Sequence, residues 1–318
     1  MISIIIPTYN YNCVSLVTDL AAQGDALVAR YGVDQFDYEI IVAEDGSTDA
    51  LLIEENSRIT AIPKARHICR KENVGRARIR NFLVSQARLS HVLIIDSDAV
   101  VFTPDYLSTY WEMRHVADVV CGSIQSPTVC PYGCELRYKY EEAARNVRQM
   151  AYREAHPYAH LSTFNILFHR YVFDQTQFDE RCTEYGYEDA LMGLMLEKLG
   201  LTVEHIDNPL IHDGMDPNAV YLQKVETALR TLHHLGEPMH SASPLVRLVR
   251  RIKRWHLTSL CRLAYRLTRP LLYRQLMSHN PSMTCLKCYK LGYYLMLDKN
   301  SDVSRSGIYA FLGKFRGF

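Results

Sequence analysis

Three short apolar runs, each stopping on a loop of carboxylates or amides, constrain this chain more than any other feature. Ser3–Ile6 closes at Pro7 and opens into Thr8-Tyr9-Asn10; Tyr38–Ala43 runs into Glu44-Asp45-Gly46-Ser47-Thr48-Asp49; His91–Ile95 halts on Asp96-Ser97-Asp98. Aliphatic runs of this length, bounded by turn-formers, read as buried strands. Arg66–Cys69 is a shorter candidate strand. Between them, Val14–Tyr31 repeats apolar residues at helical spacing (Val14, Val17, Leu20, Ala21, Leu27, Val28), and Gly75–Leu89 reads as a second helix. Strands alternating with helices at these distances predict a mostly parallel sheet with helices on both faces. Ligands of such sheets bind beyond the carboxyl ends of the strands, so Asn10, Asp45 and Asp96 are expected to gather on one edge.

After Pro104 the pattern becomes mixed. Glu135–Glu154 is a charged helical stretch, and Leu161–Phe168 is an apolar segment expected to return to the sheet. A helix from Glu188 to Leu199 places Leu191, Leu194, Met195 and Leu199 on one face, with Gly200 suited to its C-cap. The best boundary is the composition break near Glu237-Pro238, giving a domain at 1–237 (with parts of about 1–104 and 105–237) and a basic, mainly helical region at 238–318. Although the formal net charge is only +1, no acidic residue occurs between Glu237 and Asp298, where eleven Lys and Arg stand. The opening Met1-Ile2-Ser3-Ile4-Ile5-Ile6-Pro7 is expected not to be a signal peptide, lacking a basic start and a long apolar run. No stretch approaches the roughly 18 consecutive apolar residues of a spanning helix. Nine irregularly spaced cysteines fit reduced thiols in a cytoplasmic protein better than a disulfide framework.

The acidic loops carry the chemistry. Asp45, followed by Gly46, can accept a hydrogen bond from a base edge; an Asx turn or helix cap would use the same residue type. Asp96-Ser97-Asp98 at a strand end suits a divalent cation that bridges two phosphates and neutralises a diphosphate leaving group. Glu188 and Asp189 open a helix, where acids offset the helix dipole, yet a carboxylate here can also take a proton from an attacking hydroxyl. His212, in Ile211-His212-Asp213-Gly214, is either a structural histidine or a nitrogen ligand to the same ion.

In this order the motifs resemble glycosyltransferase family 2, whose members adopt the GT-A fold, a Rossmann-like, mostly parallel α/β sheet. The resemblance runs from Ser3 to about His212. It covers Ile4-Ile5-Ile6-Pro7-Thr8-Tyr9-Asn10, the Glu44–Asp49 loop, Asn73-Val74-Gly75-Arg76-Ala77-Arg78-Ile79-Arg80-Asn81, Asp96-Ser97-Asp98 and Gly186-Tyr187-Glu188-Asp189. The last of these, with His212, looks closest to the galactosyltransferase-like and chondroitin-polymerase-like branches. Some relatives carry a longer glycine-rich segment before the Glu-Asp pair, and here only Gly186 and Tyr187 stand there.

The resemblance implies an inverting transfer of a sugar from a nucleotide diphosphate donor, a UDP-sugar, to a saccharide or lipid-linked acceptor hydroxyl, with Mn²⁺ or Mg²⁺ as cofactor. It implies that Pro7 and Tyr9 flank the base, Asp45 bonds to its edge, Asp96 contacts the ribose and Asn73 lies in the nucleotide loop. Asp98 and His212 would hold the ion, Asp189 would be the general base, and Glu188 would bind donor or acceptor sugar. Arg80 would neutralise the acidic loops or the diphosphate, with Arg76 and Arg78 competing for that role. Cell-surface polysaccharide or glycolipid assembly follows from the family resemblance alone.

The basic region interleaves Leu245, Leu248, Val249, Ile252, Trp255, Leu260, Leu263, Leu267 and Leu271 with arginines, predicting one or two amphipathic helices. Such helices either lie on an anionic membrane, making the protein peripheral to its inner face, or pack their apolar side on the catalytic domain. Nucleic acid is not expected as a partner, since no recognised module accompanies the charge. A non-catalytic nucleotide-sugar-binding or scaffold protein on the same fold is the main alternative. The chain lacks the Gly-x-Gly-x-x-Gly of a nicotinamide dehydrogenase and the glycine-rich basic loop of a nucleotidyltransferase.

Overall fold

The computed structural model describes residues 1–297. The expected basic region therefore extends beyond it, and 298–318 lie outside the described residues. The chain divides into two compact units, one of Met1–Cys130 with Glu141–Met215, the other of Pro131–Tyr140 with Asp216 onward.

The first unit is built on an eight-stranded sheet: β1 (Ile2–Thr8), β2 (Tyr38–Asp45), β3 (Ala65–Arg70), β4 (His91–Ile95), β5 (Ala99–Val100), β6 (Val119–Gln125), β7 (Asn165–His169) and β8 (Val203–His212). Their spatial order is β3-β2-β1-β4-β7-β6-β8-β5. The first four neighbours are parallel, as the alternating pattern predicts. Strand β7 runs antiparallel to both β4 and β6, and β8 is parallel to β6. Two reversals restore the original direction, so β8 ends on the same edge as β1, β2 and β4.

Period-two alternation sends successive side chains to opposite faces. Ile2, Ile4, Ile6, Ile40, Val42, Leu93 and Ile95 form one core with α1 (Val14–Tyr31). Helix α2 (Ala50–Ser57) follows β2, and α3 (Arg76–Gln86) packs on β1 and β2 through its buried Ile79 and Leu83. Helix α4 (Tyr106–Met113) adds Tyr106, Leu107 and Tyr110 to the first core.

The long helix expected over Glu135–Glu154 is instead broken. Helix α5 (Glu135–Ala143) is followed by a 3₁₀ turn at Asn146–Arg148 and by α6 (Met150–Ala155). Extended backbone at Gln149 (φ −62°, ψ 141°) interrupts the helix, a break that charge patterning does not encode. Helix α7 (Val172–Gln175) is one turn, and α8 (Glu188–Leu199) has the expected bounds, ending on Gly200 in the left-handed region.

In the second unit, α9 (Asn218–Leu235) is anchored where Asn218 accepts a bond from the Leu136 N–H at 2.7 Å and donates to Glu135 at 3.0 Å. Helices α10 (Met239–Ala242), α11 (Pro244–Arg254) and α12 (Thr258–Leu276) follow, and residues 283–297 are again helical. The amphipathic run is thus two helices, parted around His256, whose φ is +57°.

Candidate active site

Each acidic strand end is held by a specific local device. Asp45 is buried, and its two oxygens accept from the Val74 and Gly75 N–H groups at 2.9 and 3.1 Å. Burial raises its pKa against the pull of those two donors. Gly46, at φ +69°, lets this loop lie on the backbone of Glu72 and Asn73, where a Cβ would collide. Asn10 ties the first loop to the second, its side-chain oxygen accepting from the Thr48 and Asp49 N–H groups at 2.8 and 3.0 Å. Pro7 stands in β1 facing Ala43, Tyr9 is half-exposed, and Asn73 is exposed where its backbone lies against Gly46. Glu44 is structural: it is buried and accepts from Asn56 at 2.8 Å, with His67 at 3.1 Å.

Arg80 joins elements far apart in sequence. Its side chain is 1% exposed, with Nη2 donating to Asp96 Oδ1 at 2.8 Å and Nη1 to Glu188 Oε1 at 3.2 Å. Asp189 Oδ1 lies 3.9 Å from the same Nη1. Arg80 is therefore consumed by carboxylates. Arg76, one helical turn earlier, is 43% exposed; it sits 3.6 Å from Asp96 and 3.7 Å from Glu188 and lies over the Tyr185 ring. Of the three competing arginines, Arg78 points elsewhere, pairing with Glu180 at 3.2 Å.

The adjacent acids of α8 differ sharply. Burial disfavours charge on Glu188, but Arg76 and Arg80 outweigh it and hold its pKa below the usual carboxylate range. Asp189 is pushed the other way, to about 6, by burial and then by the Glu188 charge beside it. Its oxygens accept from the Thr163 hydroxyl at 2.5 Å and the Thr163 N–H at 3.1 Å, which fixes the side chain while leaving about a third of it open. Glu188 Oε2 is buried and has no hydrogen-bond partner among the described residues. The helix enters through Gly186 (φ +103°) and Tyr187 (φ +73°); the positive φ accounts for the glycine, while Tyr187 adopts a conformation that bulky residues rarely take.

Asp98 and His212 meet directly, with Nε2 3.2 Å from Oδ2. The other ring nitrogen, Nδ1, lies 2.8 Å from Glu141, whose side chain is 1% exposed and also accepts from Ser126 at 2.8 Å. Burial opposes charge on His212, but these two carboxylates prevail and lift its pKa to about 9. Gly214 lies so close over Asp98 that any Cβ would overlap its carboxylate. Glu141 and Thr163 have no sequence signal: one acid among several in a charged helix, one hydroxyl in a loop. Among the described residues no group of three or more His, Cys, Asp or Glu is arranged as a complete metal site.

A sheet of this order, with acidic strand ends collected on one edge, is the GT-A fold of glycosyltransferases. The chain belongs to glycosyl transferase family 2, whose model matches residues 3–176. Among solved structures, the mannosyltransferase PcManGT from Pyrobaculum calidifontis, in complex with GDP-Man and Mn²⁺, is 14% identical, with a TM-score of 0.50 over 93% of this chain and 84% of that one. Glucosyl-3-phosphoglycerate synthase from Mycobacterium tuberculosis, in complex with Mn²⁺, UDP-glucose and phosphoglyceric acid, is 18% identical, with a TM-score of 0.50 over 75% and 80% of the two chains. S. aureus TarS 1–349 is 18% identical with a TM-score of 0.43, and this chain spans only 65% of it. At these identities the likeness is one of fold. No curated protein matches.

Replacing Arg80 with Met would remove the hydrogen-bonded cation from buried Glu188 and half-buried Asp96, leaving only the more distant Arg76 beside them. Breaking a buried pair from one side costs about 3–5 kcal/mol, to be read by urea unfolding near neutral pH. The pairing lowers the Glu188 pKa, so its stabilisation is present above the unfolded-state value and lost as the pH falls. The variant's deficit should therefore shrink as the pH is lowered into the ordinary carboxylate range.

Proposed function

We propose that this protein transfers a sugar from a nucleotide diphosphate donor, a UDP-sugar, to an acceptor hydroxyl with inversion at the anomeric carbon. The observation that carries the reading is Asp189: a fixed, partly open carboxylate with a pKa raised to about 6, next to a Glu188 held ionised. A base with a pKa near the working pH is suited to accept a proton as a hydroxyl attacks. The acceptor oxygen bonds to the anomeric carbon from one face, its proton passes to Asp189, and the carbon–oxygen bond to the diphosphate breaks with its electron pair leaving on the phosphate. Glu188 would help to bind the donor or acceptor sugar, and Arg76, partly exposed beside Asp96 and Glu188, would meet the diphosphate. Tyr9, Pro7 and Asn73 border the base, with Asp45 at its edge and Asp96 toward the ribose. In this reading 1–237 form the catalytic domain and 238–318 the basic region.

A divalent ion fits the residues present. Asp98 supplies a hard oxygen and His212 Nε2 a nitrogen, while Glu141 on Nδ1 provides the carboxylate–histidine support typical of metal-bound imidazoles. Bound there, Mn²⁺ or Mg²⁺ would neutralise charge on the departing diphosphate. Among the described residues Asp98 and His212 are the two side chains that would hold the ion, and donor phosphates and water would complete its shell. The neighbours with Mn²⁺ and nucleotide-sugar complexes support this reading, as does the likeness of Gly186–Asp189 and His212 to the galactosyltransferase-like and chondroitin-polymerase-like branches. The reaction would serve cell-surface polysaccharide or glycolipid assembly on a saccharide or lipid-linked acceptor, with the enzyme peripheral to the inner face of a membrane.

A thermal-shift panel of nucleotide sugars with and without Mn²⁺ should find a UDP-sugar whose stabilisation requires the ion. Asp98→Ala should abolish that requirement together with most of the shift. Glu141→Gln should weaken Mn²⁺ binding about 10–100-fold, measured by titrating free Mn²⁺ in its magnetic resonance spectrum.

Turnover with the best donor tests the base. Asp189→Asn should bind donor normally and lose at least ~100-fold in kcat. In the wild type the rate should rise with pH through about 6 and then level, because only ionised Asp189 accepts the proton. A variant that turns over at the wild-type rate would remove Asp189 from the mechanism.

A further inference from the structure

Helix α12 carries two apolar faces, of which one is buried. Tyr265 and Leu276 are buried, Tyr265 packing edge-on against Tyr289 with ring centroids 5.7 Å apart and Gly292 tight against its ring. Arg262 is drawn to the same side, donating to the Leu295 carbonyl at 2.9 Å. Leu260, Leu263, Leu267 and Leu271 recur at steps of three and four. At 100° per residue they fall within about 80° of one another and about 160° from Tyr265. All four lie open, at 64, 54, 71 and 69% exposure. Trp255 (71%) and Leu257, in the turn before the helix, are exposed as well.

A soluble surface rarely leaves a continuous leucine row open without a use. The charge around this row selects its occupant. Arg266 and Arg274 stand exposed at its margin and end, α11 carries Arg247, Arg250, Arg251 and Arg254 exposed, and no Asp or Glu occurs from Pro238 to Leu297. A second copy docking through the same stripe would bring arginines against arginines, with no carboxylate on either side to neutralise them. A nucleic acid would satisfy the arginines but offer nothing to the leucines. A bilayer with anionic headgroups meets both, since its acyl boundary takes the leucines and its phosphates take the guanidinium groups. No helix among the described residues is long and apolar enough to cross a membrane, so the element would lie along the interface.

We propose that the Leu260–Leu263–Leu267–Leu271 face of α12, with Trp255 and Leu257 ahead of it, docks in the interfacial plane of a membrane bearing anionic lipids. The inference stands apart from the catalytic reading, because it uses no residue of the sheet edge. Docking of this kind would hold the protein beside lipid-borne hydroxyls.

Flotation of the full chain with phosphatidylcholine vesicles, and with vesicles of equal parts phosphatidylcholine and phosphatidylglycerol, tests it. The wild type should float only with the anionic vesicles, and less as salt is raised. Arg266→Gln with Arg274→Gln should weaken binding about fivefold per arginine, about thirtyfold together. Leu263→Gln with Leu267→Gln should weaken it at least about tenfold. Both pairs are exposed, so an unchanged melting temperature serves as the folding control. Failure of the wild type to float, equal flotation with neutral vesicles, or wild-type binding by the leucine variant would each overturn the proposal. So would a wild-type dimer that the leucine variant dissolves, without any vesicle binding.

Discussion

The sheet edge is organised around one buried cation. Arg80 is almost wholly withdrawn from solvent, a placement whose desolvation cost is several kcal/mol unless the charge is paired. Its planar fork pairs with two carboxylates from separate elements, Asp96 at the end of β4 and Glu188 at the start of α8. Glu188 lies 108 residues from Arg80, yet the two meet at 3.2 Å. The guanidinium thereby ties the first turn of α8, which carries Asp189, to the end of β4. Lysine, a point charge with no fork, could not span the same pair of oxygens.

The pairing also divides the labour of two neighbouring acids. Glu188 takes the hydrogen bond from Arg80 and is held ionised; Asp189 is left with a hydroxyl, an amide and a more distant guanidinium. An ionised Glu188 then becomes one of the forces that raise Asp189. The two pKa values are driven apart by a single arrangement, which is how a pair of carboxylates comes to hold different roles.

Much of the first unit was legible in the sequence because it follows from local rules. The apolar runs at Ser3–Ile6, Tyr38–Ala43 and His91–Ile95 became buried parallel strands, the first two slightly longer than the runs, and α1 and α8 took the bounds their periodicity predicts. Asp98 beside His212 was anticipated by motif order, and the structure brings them to 3.2 Å. Glu141 was not legible. Its helix reads as uniformly charged, and only the fold shows which acid turns toward β8 and which toward water. The resemblance named Arg80 with Arg76 and Arg78 as competitors; in the fold Arg76 and Arg80 both approach Asp96 and Glu188, and burial separates the hydrogen-bonded Arg80 from the partly exposed Arg76. The break between Ala143 and Met150, filled by a 3₁₀ turn and an extended Gln149, leaves no mark in the charge pattern.

Antiparallel β7 completes the logic of the edge. Lying between β4 and β6, it starts where β4 ends, opposite Ile95, which sets Thr163 just ahead of it at the height of Asp189. The second reversal, into β6 and its parallel partner β8, brings His212 back to Asp98 from more than a hundred residues away. On the proposed reading Asp98 and His212 are the two side chains, among the described residues, that would hold the ion. An ion held by two side chains alone would bind weakly; if the donor's diphosphate strengthened it, the ion would by linkage strengthen the diphosphate by the same factor.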